Sequence, residues 1–228
     1  ANAVAMRISH SKKFIFLSNP MCGSSSIRYI LDPHTDIKGE EHPTDPLYML
    51  HVNARTLRSY FEHEDYADKS VGPWDEYYKF ALVRNPWKKM ASYYFFYRPD
   101  KNFNQYFVNN TADYDFNTQF HYGFNEWLDY VMYERGLPAY EYFCEEDGEL
   151  LLDDVFKIET IDETLPEALL KNTDIEIDKI PRLNPDYGVP HVSTSHPNWN
   201  GDRYSLYNDN SIQMIEQVYR SDLEKFNY

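Results

Sequence analysis

Cysteine is scarce. The 228 residues hold Cys22 and Cys144 and no other thiol. Two cysteines do not build the disulfide framework of a small secreted domain. Cys22 also lies inside a tight loop, where pairing is awkward, so a reducing compartment is expected. Positive charge is scarce as well: 22 Lys and Arg against 37 Asp and Glu give a formal net charge of −15. That balance disfavours non-specific binding to nucleic acid or to an anionic membrane, while allowing one local basic pocket. No window approaches the ~20 consecutive apolar residues of a membrane-crossing helix. The expectation is therefore a chain with no membrane span and no nucleic-acid partner, cytoplasmic unless an anchor has been removed. Eight Gly and thirteen Pro exclude a low-complexity chain.

Aromatic residues are abundant, with 21 Tyr, 14 Phe and 4 Trp, and the length suffices for one substantial core. The opening ANAVA reads as an appended scar, with Met6 as the native start. Residues 1–12 are thus expected to be scar and lead-in, and residues 13–228 a single domain. Lys13 to Ser18 is an apolar strand. Ser24 to Leu31 reads as a helix, capped by serines and ended by Asp32-Pro33. Residues 33–48 read as a loop, and Asn53 to Phe61 as a helix. Lys79 to Val83 is a second buried strand, followed by a helix whose first position is Pro86. Phe124 to Tyr133 looks helical, Asp154 to Ile158 reads as a third strand, and a helix follows from Leu165 to Lys171. Residues 181–203 suggest a long functional loop. Ile212, Ile215, Val218, Tyr219, Leu223 and Phe226 share helical spacing in the closing stretch. Alternation of strand and helix predicts one α/β domain with a P-loop-like central parallel sheet flanked by helices.

Two strand-to-helix turns carry the chemistry. In NPMCGSSSI (19–27), a strand gives way to small residues and then to a helix. Successive backbone N–H groups in such a turn, with Gly23 allowing close approach, suit a phosphate or sulfate. Ser24, Ser25 and Ser26 add hydroxyl donors. The loop is not a Walker A motif, because neither the spacing nor the lysine is present. A capped helix after a tight turn accounts for the same residues. FALVRNPWKKMASYYFF repeats the layout: Arg84 leaves the second strand, and Ser92 follows eight residues later, about two helical turns along. Arg offers a forked donor and Ser a hydroxyl, suited to one phosphate. Taken alone, this pair reads more readily as a surface Arg and a helix Ser.

Together the two stretches resemble the sulfotransferase superfamily. PMCGSSSI is similar to the family's loop for the 5′-phosphosulfate of 3′-phosphoadenosine 5′-phosphosulfate (PAPS), and VRNPWKKMASYY to its 3′-phosphate motif. HVNARTLRSYF, VFKIETIDETLPEALL and VYRSDLEKFNY resemble segments of the carbohydrate (membrane-type) branch, so the likeness runs through most of the chain from Lys13. It implies that residues Met21, Cys22, Gly23, Ser24, Ser25 and Ser26 hold the 5′-phosphosulfate, and that Arg84 and Ser92 hold the 3′-phosphate. The late segment PDYGVPHVSTSHPNWNGDRY resembles the one that closes over the adenosine moiety, which adds Ser193, Ser195 and Arg203, with Trp199 or Tyr204 against adenine. The branch's histidine maps to His51, a general base suited by its titration near neutral pH. His42 and His121 are weaker candidates. The implied reaction passes the PAPS sulfonate to a hydroxyl on a small-molecule or glycan acceptor, releasing 3′-phosphoadenosine 5′-phosphate (PAP). No metal is expected: His191 and His196 lie five apart in a loop without Cys partners, and EEDGELLLDD lacks EF-hand spacing.

One position departs from the family. The residue after the loop proline is usually Lys, touching the bridging oxygen, and here it is Met21. A thioether neither donates a hydrogen bond nor carries charge. Losing one such donor costs ~2.7–4 kcal/mol of transition-state stabilisation in oxyanion holes. Arg28, Arg182 and Arg203 are the substitutes to consider, whereas Lys12 and Lys13 start the strand ~16 Å away at ~3.3 Å per residue. Two rivals follow: a PAP/PAPS-binding protein of the same fold with impaired catalysis, and an ATP-dependent P-loop kinase.

Overall fold

The structure, a computed structural model, describes residues 6–19, 22, 25–38, 53–62, 72–96, 124–125, 128–129, 139–181 and 207–228, with residues 92–96 described by backbone alone. In chain order the elements are β1 (Arg7–Ser9), β2 (Phe14–Leu17), α1 (Ser25–Leu31), β3 (Ile37–Lys38), α2 (Ala54–Glu62), β4 (Tyr78–Val83), α3 (Pro86–Phe96), α4 (Ala139–Phe143), β5 (Asp154–Lys157), α5 (Ile161–Thr173), α6 (Asp209–Val218) and α7 (Arg220–Phe226). They fall into two compact units. One comprises residues 2–84 and 139–183, the other residues 85–138 and 184–228.

The first unit is built on a five-stranded sheet in the order β3-β1-β2-β4-β5. β2, β4 and β5 are the three strands expected from the sequence, and they pair in parallel. The side chains of β2 and β4 are buried on both faces, as near-continuous apolar runs require, while in the edge strand β5 only Phe156 is buried. β1 pairs antiparallel with both β2 and β3, so the sheet is mixed, with a parallel centre and an antiparallel wing. β1 falls within the stretch read as lead-in, yet Met6 and Ile8 are core residues. The β1–β2 turn passes through Lys13 at φ 55°, a left-handed conformation uncommon outside glycine. Arg7, also buried in β1, is held by Asp32 at 2.6 Å and by the carbonyl of Met6. β3 lies in the segment expected to be loop, with the Asp36 carboxylate accepting from the His10 N–H.

The even-numbered side chains of the central strands share one face. Phe14, Phe16, Tyr78, Phe80, Leu82 and Phe156 pack there against Ile27 and Leu31 of α1 and Ile161, Leu165 and Leu169 of α5. Those helix residues recur every fourth position, which is what one buried stripe needs. Phe80 is the hub, with ring centroids 5.3 Å from Phe16 and from Tyr78, 6.1 Å from Phe156 and 6.4 Å from Phe14. Lys79 points the other way. Its Nζ donates to the carbonyls of Trp74 and Tyr77 and lies 3.4 Å from the Asp153 carboxylate. Phe61 of α2 meets Trp74 and Tyr77 edge-on at 5.6 and 5.3 Å, bringing α2 to that side. Arg58 and Arg55 of α2 pair with Glu145 and Glu146, so the acidic run after α4 forms a turn tied to α2. Gly148, at φ 87°, makes that turn possible.

In the second unit, Tyr207 donates to the Trp87 carbonyl at 2.7 Å, and Asn208 caps α6 in a reciprocal box with Ser211. The single closing helix expected from the spacing is two helices. The chain breaks at Tyr219, whose buried phenol reaches Met90 of α3. The apolar spacing persists across the break, so the periodicity does not reveal it.

Phe80→Ala should lower stability by ~3–5 kcal/mol, read from the urea midpoint at constant slope. Burial and then its hydrogen bond to Asp154 raise the Tyr78 phenol well above its ordinary value of 10.0. The folded protein therefore keeps this proton where the unfolded chain has lost it, and stability should fall as pH rises beyond about 10. Denaturant titrations at stepped alkaline pH should show a shallower fall for Tyr78→Phe.

Candidate functional site

β2 and β4 are neighbours and parallel, with Leu17 opposite Ala81. Both therefore release their chains at the same sheet edge, about one strand spacing (~4.8 Å) apart. From β2 the chain passes Ser18 and Asn19 into the loop. From β4 it reaches Arg84 three residues after Ala81. Ligands in open α/β sheets collect outside the carboxyl ends of the strands, which is this edge. Asn19 and Arg84 thus leave the sheet at one edge because the strands share hydrogen bonds.

Within the loop, Cys22 is buried in the core cluster and its Sγ accepts from Asn19 Nδ2 at 3.2 Å. The thiol faces inward, so any part Cys22 plays in the loop is through its main chain. Asn19 is 2% exposed, and its Oδ1 finds no hydrogen-bond partner among the described residues. The sequence reading gave Asn19 no part; its place directly after the strand was the available signal. Ser25 and Ser26 are half-buried and open α1. Arg28 reaches back along α1, donating from Nη2 to Ser25 Oγ at 3.2 Å. Arg84 is half-buried at the end of β4.

Asn85 opens the second unit and caps α3. Its Oδ1 accepts from the Lys88 N–H at 3.2 Å and its carbonyl from the Lys89 N–H at 2.9 Å. Pro86 takes the first helical position, where a missing N–H costs nothing. Ser92 belongs to α3 by its backbone, its side chain lying outside the described residues. Met21, Gly23, Ser24, His51, Ser193, Ser195 and Arg203 also lie outside them, as do His42, His121, Arg182, Trp199 and Tyr204. For His51, the described neighbour is Asn53, which caps α2 by accepting from Thr56 N–H at 2.8 Å. The helix thus starts just after the histidine and is tethered by its arginines to the acidic turn.

Among the described residues, no group of three or more His, Cys, Asp or Glu is placed to hold a metal ion, and no helix is long and apolar enough to cross a membrane. A family model described as "Sulfotransferase family" matches residues 3–228. No curated protein and no solved structure gives a significant match. A match over nearly the whole chain places this protein in the sulfotransferase family, whose reaction is sulfonate transfer, and the mixed sheet flanked by helices is consistent with that fold.

Asn85→Ala should cost ~1 kcal/mol, within the ~0.5–2 kcal/mol span for lost caps, read as a lowered urea midpoint.

Proposed function

We propose that this protein transfers the sulfonate of PAPS to a hydroxyl, with a carbohydrate as the acceptor class. The observation that carries the reading is the parallel pairing of β2 with β4, which delivers the small-residue loop and Arg84 to one sheet edge. PAPS brings the group to be transferred and a phosphate as leaving group; the chain's residues bind and orient it. Loop hydroxyls, Ser25 and Ser26 among them, suit the 5′ end. Arg84 and Ser92 carry the 3′-phosphate motif, and a guanidinium forks onto a phosphate dianion with two parallel bonds. Ser193, Ser195 and Arg203 complete the donor side. His51 takes the acceptor hydroxyl's proton, because a group titrating near neutrality is both available as a base and able to release the proton afterwards. The chain's charge of −15 favours a small or neutral acceptor over a polyanion, whose approach it would repel.

A second reading rests on Met21. With no lysine at that position, the same fold serves as a PAP binder with weak or no transfer.

Thermal unfolding with PAP and with Mg-ATP tests the donor class. A PAP concentration of about 100 Kd should stabilise the fold by about 2.7 kcal/mol, with no comparable effect of Mg-ATP. Stabilisation by Mg-ATP alone overturns the reading. Arg84→Ala should weaken PAP by about 10- to 150-fold, matching the ~1.5–3 kcal/mol of a hydrogen bond to a charged group. Turnover that appears only in Met21→Lys, with PAP bound equally by both proteins, would select the binder.

A further inference from the structure

We infer that Arg28 supplies the positive charge that Met21 withholds, engaging the 5′-phosphosulfate end of the donor; this rests on the PAPS reading above. The 5′ end of the donor carries negative charge on both the sulfonate and the bridging phosphate. Serine hydroxyls and backbone N–H groups hold that charge through dipoles only. A counter-charge at this loop would strengthen that hold, and position 21 provides none.

Arg28 is placed to meet that need. It follows Ser25 by three residues, so the two side chains lie on one face of α1. Long side chains on a helix lean toward its start, and Arg28 does so: Nη2 donates to Ser25 Oγ at 3.2 Å. The guanidinium therefore stands one hydroxyl away from whatever Ser25 holds. Its planar fork matches phosphate and sulfonate oxygens better than a lysine's point charge would.

Several other described cations are set apart by their position or by their contacts. Lys12 and Lys13 precede β2, at the edge opposite the loop, and Lys13 is engaged by Glu76 at 3.9 Å and by the Tyr77 ring at 4.9 Å. Lys79 is buried beside Asp153, and Arg7 is held by Asp32. Arg84 carries the 3′-phosphate motif. In the transfer, the bond from sulfur to the bridging oxygen breaks as the bond to the acceptor oxygen forms. The electron pair stays on the released phosphate, which Arg28 steadies, while the acceptor proton passes to the base.

Calorimetry with PAP and with adenosine 3′-monophosphate, which lacks the 5′ group, isolates this contact without needing an acceptor. For Arg28→Ala, PAP should bind about 10- to 100-fold more weakly, while the 3′-monophosphate changes by less than about threefold. Arg28→Lys should retain part of the PAP affinity, and Met21→Lys in the Arg28→Ala background should restore most of it. The unliganded variants' melting temperatures report whether each folds, and Arg28→Gln replaces the alanine variant if that one does not. A parent that binds PAP, with variants that bind it equally well, overturns the Arg28 assignment and leaves the donor reading standing. Equal weakening of both nucleotides also overturns it, since Arg28 would then act through the fold. A parent that binds neither nucleotide brings down the donor reading and the Arg28 assignment with it.

Discussion

The hydrogen-bonded ladder between β2 and β4 is the constraint on which the rest depends. Parallel strands must both end at one edge, so whatever follows each is delivered to the same place. Here a loop of small residues follows one and an arginine follows the other. The ladder is held in register by packing: a one-residue slip would turn Phe14 and Phe16 away from Phe80 and break up the ring cluster on that face. Core and site are therefore coupled. The rings that fix the register also fix which residues meet at the edge.

Much of the parallel centre was legible because buried strands are written as continuous apolar runs: FIFL and YKFALV have few other interpretations next to Gly/Ser or Asn-Pro turns. The antiparallel wing was not. β1 has three residues and β3 two, too short for any periodicity to register. β1 also opens with an arginine, which reads as surface until Asp32 is seen to neutralise it, and its turn uses a lysine where a glycine or asparagine would have announced the conformation. Tertiary pairing decided both points, beyond the reach of local pattern.

The site shows the same division. That the chain leaves β2 and β4 at one edge follows from their parallel pairing alone. The inward turn of the Cys22 thiol, its bond from Asn19 and the backward reach of Arg28 depend on side-chain packing. A residue's type gives its chemistry, and the three-residue spacing of Ser25 and Arg28 permits their contact. Only the fold shows which permitted contact is made. The acidic run after α4 illustrates the converse: its spacing only spoke against an EF-hand, and the arginines of α2 pair with its first glutamates.

The division of the chain into two interleaved units has a consequence for biosynthesis. The polypeptide leaves the sheet unit after Arg84 and returns to it at Ala139. Asp153 accepts from Lys79, 74 positions earlier, so the free flank of β4 waits for a strand emerging much later from the ribosome. During that interval an apolar strand lies open along one side, and such edges recruit other chains. Slow translation between residues 85 and 153 would lengthen this exposure, making the interval a point of dependence on chaperones.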